Sequence, residues 1–358
     1  MKKQFISVAL TVAMAASAFA GCGSKAEEAA PAASEAAATS EAAAPADGEK
    51  TYALVPKSAG NPFNEREASG FEEAVKAAGG KCVISYPDQA TAEAQITVIN
   101  SLISQGVDSI AVAANDANAL SAALQDAEKA GIKVCTLDSD VAAADRAVFC
   151  NQAGVQEIGQ ALMDAIYDLT GGEGDYAILS ATSQATNQNA WIEAMAQIAA
   201  ADEKYAKLNL VEVAYGDDEP QKSTDQTNAL LQKYPDLKVI CAPTTVGIAA
   251  AAKVLQDAGS SVKLTGLGLP SEMKEYIGDD DAHSCPYMFL WNPIDLGALA
   301  AYTSMALVDG TITGAEGDTF ETPLGNYTIA KNGEATEIIL GQPFKFEPSN
   351  IEEWAAVY

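Results

Sequence analysis

The chain has 358 residues, 48% of them hydrophobic and 20% charged, enough to bury a substantial core and long enough for two ordinary domains, which excludes a disordered protein. Its 21 basic residues against 49 acidic ones leave a formal charge of -28, a balance that repels nucleic acid phosphates and anionic lipid surfaces. With Arg66 and Arg146 the only arginines and His283 the only histidine, an arginine cluster for phosphate is barely available, a His-rich metal site is excluded, and any Ser-His-Asp reading hangs on one residue.

Lys2 and Lys3 precede an apolar run from Phe5 to Phe19, the size of a secretory h-region and short for a bilayer span. The run ends in Phe19-Ala20-Gly21-Cys22, which resembles a bacterial lipobox, so residues 1–21 are expected to be a lipoprotein signal and Cys22 the lipidated thiol. A plain signal peptide with an incidental cysteine is the alternative. From Gly23 to Lys50 nearly every residue is Ala, Glu, Pro, Ser or Thr, so the segment cannot bury enough surface to offset its ordering entropy. Residues 22–50 therefore read as an acidic, Ala-rich tether behind the lipid.

From Thr51 short apolar runs alternate with amphipathic segments, the pattern of a parallel sheet covered on both faces. The periodicity predicts strand Tyr52 to Val55, helix Asn64 to Ala78, strand Cys82 to Tyr86, helix Thr91 to Gln105, strand Ser109 to Ala113, helix Ala117 to Ala130 and strand Lys133 to Leu137. Gly79, Gly106 and Gly131 stand where these helices should end. The rhythm then repeats as strand Tyr176 to Leu179, helix Gln188 to Ala201, strand Leu210 to Val213, helix Gln221 to Lys233, strand Lys238 to Cys241, helix Val246 to Ala258 and strand Lys263 to Leu267. Two copies of one doubly wound unit imply an α/β protein of two similar parallel-sheet lobes. A strand and helix over Tyr287 to Asp309 and a strand-like Thr336 to Phe346 need a sheet to join. The chain is therefore expected to cross between lobes more than once and make a multi-strand hinge.

Open parallel sheets bind ligands at the carboxyl ends of their strands, so two facing lobes define a shared cleft that hinge closure can bury. After the first strand comes Pro56-Lys57-Ser58-Ala59-Gly60-Asn61-Pro62-Phe63. Lys57 is either a surface lysine or a ligand contact, Phe63 either an apolar face for a sugar or a staple for the next helix, and Asn61 joins the candidate set with them. Leu137-Asp138-Ser139-Asp140 offers Asp138 at a strand exit as an acceptor for polyol hydroxyls, with Asp140 read as a turn cap. Asn187, Gln188 and Asn189 beside Trp191 supply a dense set of uncharged donors and acceptors, although Asn187 could serve only as an N-cap. Pro243 frees backbone carbonyls and Thr245 adds a hydroxyl or caps the following helix, while Trp291 and Asn292 stand where the chain should cross between lobes, as a ligand wall and a hydrogen-bonding partner.

Other motifs fail on context. Gly266-Leu267-Gly268 lacks the spacing of a dinucleotide fingerprint, and Asp279-Asp280-Asp281 lacks the alternation of a calcium loop. Asp138 and Asp140 sit on one loop with no carboxylate partner across the cleft for glycoside hydrolysis. Cys82, Cys135 and Cys241 fall in strands as small hydrophobes, leaving at most a single bridge involving Cys150 or Cys285. No catalytic residue, metal or cofactor is expected.

The passages Pro56-Lys57, Leu137-Asp138-Ser139-Asp140, Asn151-Gln152, Asn187-Gln188-Asn189 with Trp191, Tyr234 to Leu237, Ala242-Pro243 and Leu290-Trp291 resemble the type 1 periplasmic binding proteins, the solute receptors of bacterial ABC importers. Within that family the chain is similar to the branch of autoinducer-2 receptors and rhamnose-binding proteins. Lys57, Asp138, Gln188 and Pro243 match the polar set with which the autoinducer-2 receptors hold a hydroxyl-rich furanose. Asn187 stands where those receptors often carry aspartate, Thr245 where they often carry alanine, and Asn292 where the branch often has aspartate. The resemblance implies residues 51–151 with about 292–315 as the N-terminal lobe and 152–291 with about 316–358 as the C-terminal lobe. It also implies a monomeric, lipid-anchored receptor on the outer face of the cytoplasmic membrane, with a small sugar-like ligand, an ABC permease and its ATPase as partners, and no nucleic acid. Autoinducer-2 is the leading ligand, rhamnose the alternative, and an exported sugar-acting enzyme the competing class.

Overall fold

The computed structural model describes residues 48–358, so the expected signal segment, Cys22 and all of the tether but its last three residues lie outside the described residues. The chain runs β1 (Thr51–Val55), α1 (Pro62–Ala77), β2 (Lys81–Ile84), α2 (Ala92–Gln105), β3 (Ser109–Val112), α3 (Ser121–Lys129), β4 (Lys133–Leu137) and β5 (Val148–Ala153). It continues through α4 (Val155–Thr170), β6 (Gly174–Ser180), α5 (Thr186–Ala201), β7 (Leu208–Tyr215), α6 (Pro220–Lys233), β8 (Leu237–Ala242), α7 (Thr245–Asp257), β9 (Lys263–Gly266) and α8 (Pro270–Met273). The last part is β10 (Met288–Leu290), α9 (Pro293–Val308), β11 (Thr319–Thr322), β12 (Gly325–Thr328), β13 (Ala330–Asn332), β14 (Ala335–Gly341), β15 (Phe344–Phe346) and α10 (Ile351–Ala355).

The strands make two doubly wound sheets of like topology. One has the order β13-β14-β5-β4-β3-β1-β2 and the other β7-β6-β8-β9, so in each the first strand lies between the second and third. Every pairing among β1 to β5 and among β6 to β9 is parallel, which is why β3 is buried at all four residues and apolar from Ile110 to Val112. Strand order reverses beside β1 and beside β6, and the loops leaving those strands are where such sheets open a crevice.

Among the described residues the chain passes between the sheets at 153–155, 290–293 and 341–344, giving a hinge of three crossings. The sequence pattern does not predict β5 and α4, which flank the first of these crossings, although the expected lobe boundary at 151/152 falls beside it. The expected boundaries also put 316–341 in the C-terminal lobe, whereas β14 pairs in parallel with β5 and extends the N-terminal sheet. Arg146 fixes that placement: its Nη1 donates to the Thr336 carbonyl at 2.7 Å and its Nε to Asp140 Oδ1 at 2.9 Å, so Asp140 is an ion-pair partner as well as a turn residue. Beyond β14, β15 pairs with β10 and α10 packs on α8, so 344–358 belongs to the C-terminal lobe.

Helix α9 returns to the N-terminal lobe and lies along α1 at very short range. A Cβ at Gly297 would stand 1.8 Å from the Glu67 carbonyl oxygen, and one at Gly70 would stand 1.9 Å from that of Ile294. Only glycine permits this approach, and it locks the helix whose first turn borders the cleft. All five described cysteines are free, and Cys150 and Cys285 donate to Thr303 Oγ1 and to the Tyr287 carbonyl instead of forming a bridge.

Candidate ligand-binding cleft

The strand-exit loops of both lobes face one another around a narrow cleft. Lys57 follows β1 and Asp138 follows β4 in the N-terminal lobe, and their side chains meet with Nζ 2.9 Å from Oδ2. From the C-terminal lobe, Asn187 in the first turn of α5 bonds to both. Its amide nitrogen donates to the two Asp138 oxygens at 3.1 and 3.2 Å, and its oxygen accepts from Lys57 Nζ at 3.3 Å. An amide can do this because it carries a donor and an acceptor on one planar group. The N-cap of α5 is Ala185, so Asn187 is not a capping residue.

The loops are held by buried amides. Gln95 on α2 donates to the carbonyls of Pro56 and Ala113 at 3.1 and 2.7 Å, tying the exits of β1 and β3, and Asn115 donates to the Lys57 carbonyl at 2.9 Å. Asn61 caps α1 by accepting from the Phe63 amide at 2.9 Å, and Asn64 donates to Ser58 O and Oγ at 3.1 Å. Gln188 accepts through Oε1 from Ser180 Oγ at 2.6 Å and from the Ala181 amide at 2.7 Å, which leaves its amide nitrogen as a donor for the cleft.

One wall is aromatic. Trp291 packs edge-on against Phe63, with centroids 6.3 Å apart, and against Trp191 at 5.7 Å, so the three rings join α1, the crossover before α9 and α5. Such rings bind the apolar C–H face of a small ring ligand while polar groups take its hydroxyls.

Ten of the candidate residues line this cleft: Lys57, Asn61, Phe63, Asp138, Asn187, Gln188, Trp191, Pro243, Thr245 and Trp291. Asn292 does not. Its Oδ1 caps α9, accepting from the amides of Ile294 and Asp295 at 3.0 and 3.4 Å, because a helix beginning at Pro293 needs an acceptor at that position. Thr244 occupies the N-cap position of α7, so Thr245 is not the cap.

Sequence reasoning missed Asn64, Asp218, Thr244, Leu267 and Leu290, which also line the cleft. Asp218 accepts from the Thr244 hydroxyl. Burial pushes its carboxyl up, opposed by Thr244 and Lys57 and reinforced by Asp138 and Asp217. Among the described residues the non-glycine positions with positive φ are Asp138 (57°), Asp217 (52°) and Asp218 (53°), all on strand-exit loops bordering the cleft or its mouth. Aspartate tolerates that conformation better than most residues. A wider space of ≈ 1390 Å³ adjoins, sharing Asn61 and Asp218, and forms the mouth between the lobes.

Two doubly wound lobes, a three-crossing hinge and a polar cleft with an aromatic wall define a solute receptor. The periplasmic binding protein domain family matches residues 52–312, and the chain belongs to that family. It is similar, at 62% identity and TM-score 0.85, to an ABC transporter solute binding protein from Clostridium phytofermentas with bound L-rhamnose, the match covering 87% of this chain and 99% of that one. A sugar ABC transporter protein from Actinomyces odontolyticus is 39% identical at TM-score 0.69 over 85% of this chain and 97% of that one. LsrB from Clostridium saccharobutylicum, in complex with AI-2, shares the fold at 24% identity and TM-score 0.78 over 85% of this chain and 99% of that one.

Proposed function

We propose that this chain is the extracytoplasmic solute receptor of a sugar ABC importer and that it closes on L-rhamnose. The observation that carries the reading is the partly buried Lys57–Asp138–Asn187 cluster lining one cleft with Phe63, Trp191 and Trp291, polar groups to pair hydroxyls and rings to cover a ring face. The rhamnose-bound relative at 62% identity supports the choice of sugar. Autoinducer-2 is the second reading, favoured by Lys57, Asp138, Gln188 and Pro243, which match the polar set of that receptor class and line the cleft together. Asn187 and Thr245 depart from that set.

Calorimetry with L-rhamnose, autoinducer-2 and D-ribose tests the reading. Heat with L-rhamnose and none with D-ribose is expected, tight heat with autoinducer-2 alone would transfer the assignment to the second ligand, and no heat with any of them overturns the sugar reading. Ligand returned chemically unchanged after hours with the protein is the result expected of a receptor, and turnover would restore the enzyme reading.

Lipid anchoring at Cys22 and docking on an ABC permease and its ATPase complete the proposal, the protein acting as a monomer. Residues 1–21 carry the signal pattern, and no described helix is long and apolar enough to cross a membrane. Cys22→Ser is expected to shift the protein from the membrane fraction to the medium or periplasm, and unchanged membrane retention would remove the anchor from the reading.

A further inference from the structure

Glu67 lies on α1 with 0% exposure, and neither carboxyl oxygen has a hydrogen-bond partner. Burial of an unpartnered carboxyl is destabilising, so packing of α1 against α9 would favour an aliphatic side chain at this position. Its location supplies another reason for glutamate. Glu67 stands one helical turn beyond Phe63 and three residues beyond Asn64, both of which line the cleft. Glu67 is not itself among the lining residues, but helical side chains lean toward the N-terminus, which is the direction of those two residues. Gly297 closes the side against α9.

Other buried polar groups, on residues that line the cleft or adjoin its lining, are unmet as well. Trp291 lines the cleft and its Nε1 is buried without an acceptor. Ser139 Oγ, next to Asp138, and Gln152 Oε1, whose amide nitrogen donates to the Asp138 carbonyl at 3.2 Å, are also buried and unpartnered. Burial and the Asp138 charge, opposed by Lys57, push the Glu67 carboxyl well above its ordinary value, which favours the neutral acid, a group able to donate one hydrogen bond and accept another.

We infer that Glu67 and the indole N–H of Trp291 form an inner polar subsite of the cleft that reads a ligand hydroxyl beyond the Lys57–Asp138–Asn187 cluster, making Glu67 a specificity-determining residue. A hydroxyl both donates and accepts, so it complements an indole donor and a carboxyl together. The ligand class rests on the sugar reading above. The functional role of Glu67 rests on its unmet burial.

The test compares wild type, Glu67→Leu and Glu67→Gln in the whole chain by thermal unfolding and by calorimetry with L-rhamnose and its monodeoxy derivatives. Glu67→Leu is expected to unfold at a higher temperature than wild type without ligand. It should bind L-rhamnose about 10- to 100-fold more weakly, and should bind one monodeoxy derivative as well as L-rhamnose itself. Glu67→Gln, which keeps a donor and an acceptor, should stay within about 10-fold of wild type. Unchanged L-rhamnose affinity in Glu67→Leu overturns the inference, as does a lower unfolding temperature with equal loss for every sugar, the behaviour of a merely structural residue. If wild type gives no heat with any sugar, the sugar reading fails by itself. A more stable Glu67→Leu then still supports a binding role for another hydroxylated ligand, and a less stable one overturns it.

Discussion

Lys57 and Asp138 form an ion pair at 2.9 Å with side-chain exposures of 15% and 6%, and it is the charged centre of the cleft. Removing one member of such a pair leaves the other charge uncompensated in a poorly solvated place, a loss of about 3 kcal/mol. Asp138→Ala is therefore expected to abolish ligand heat in calorimetry while the far-ultraviolet dichroism stays that of a folded α/β protein. Chemical denaturation should show the lost stability. Asp138→Asn keeps a residue suited to φ 57° and should lose less stability than the alanine variant. Unchanged affinity in either variant would place the ligand elsewhere.

Asn187 joins the lobes, since its partners Lys57 and Asp138 are both on the opposite side of the cleft. In Asn187→Leu these bonds are gone, and the ligand-free protein should populate a more open hinge. Small-angle X-ray scattering is expected to give a larger radius of gyration than wild type, returning toward the wild-type value at saturating ligand. Asn187→Asp replaces a donor to Asp138 with a second carboxylate, so it should open the cleft as well, and more so at low salt, where like-charge repulsion is least screened. Equal radii for all three proteins would deny Asn187 a latching role.

Much of this arrangement was legible because parallel strands covered on both faces must be apolar and must end in exposed loops. That logic found β1, β3, β4 and β8, and with them Lys57, Asp138 and Pro243. It failed at β5, where Phe149-Cys150-Asn151-Gln152 carries two amides and resembles a loop. Those amides are buried only because Asn151 donates to Glu337 Oε2 at 2.9 Å and Gln152 to the Asp138 carbonyl, the first of these partners 186 residues away. The same long-range dependence hid the return of 316–341 to the N-terminal sheet. Asp218 was lost in an Asp-Asp-Glu-Pro run that reads as a solvated turn, and Glu67 in a helix where a glutamate ordinarily faces water.

Gly297 tests how the packing of α1 sets the cleft. A methyl group there would fall 1.8 Å from the Glu67 carbonyl oxygen, a contact that backbone atoms cannot relieve without moving a helix. Overpacking of this kind costs about 1 to 3 kcal/mol. Gly297→Ala should lower the unfolding temperature and also weaken ligand binding, because α1 carries Phe63 and Asn64. Gly317→Ala is the control for any general effect of losing a glycine: its φ of 88° strains alanine, but nothing lies within 4 Å of its Cβ position. It should lose stability and leave affinity alone.

The buried carboxyl of Glu67 also predicts a pH dependence with a definite sign. Its ordinary value is 4.5, and burial, together with Asp138 and against Lys57, raises it well above that in the folded protein. Below 4.5 both the folded and the unfolded chain hold the proton, so Glu67 adds no pH dependence. Above 4.5 the unfolded chain releases the proton while the folded protein retains it, so folding becomes less favourable as pH rises until the folded carboxyl ionises too. Asp218 acts in the same direction from its ordinary value of 3.8, whereas Glu212, held low by Lys233 and Tyr234, acts in the opposite one. The contribution of Glu67 is isolated by comparing wild type with Glu67→Gln. The stability advantage of the glutamine variant should be smallest near pH 4, grow through the window above 4.5 and then level off. Denaturant unfolding at a series of pH values measures that difference directly. A difference that stays flat from pH 4 to pH 8 would mean that the Glu67 carboxyl titrates alike in the folded and unfolded chains, and that the cleft does not hold its proton.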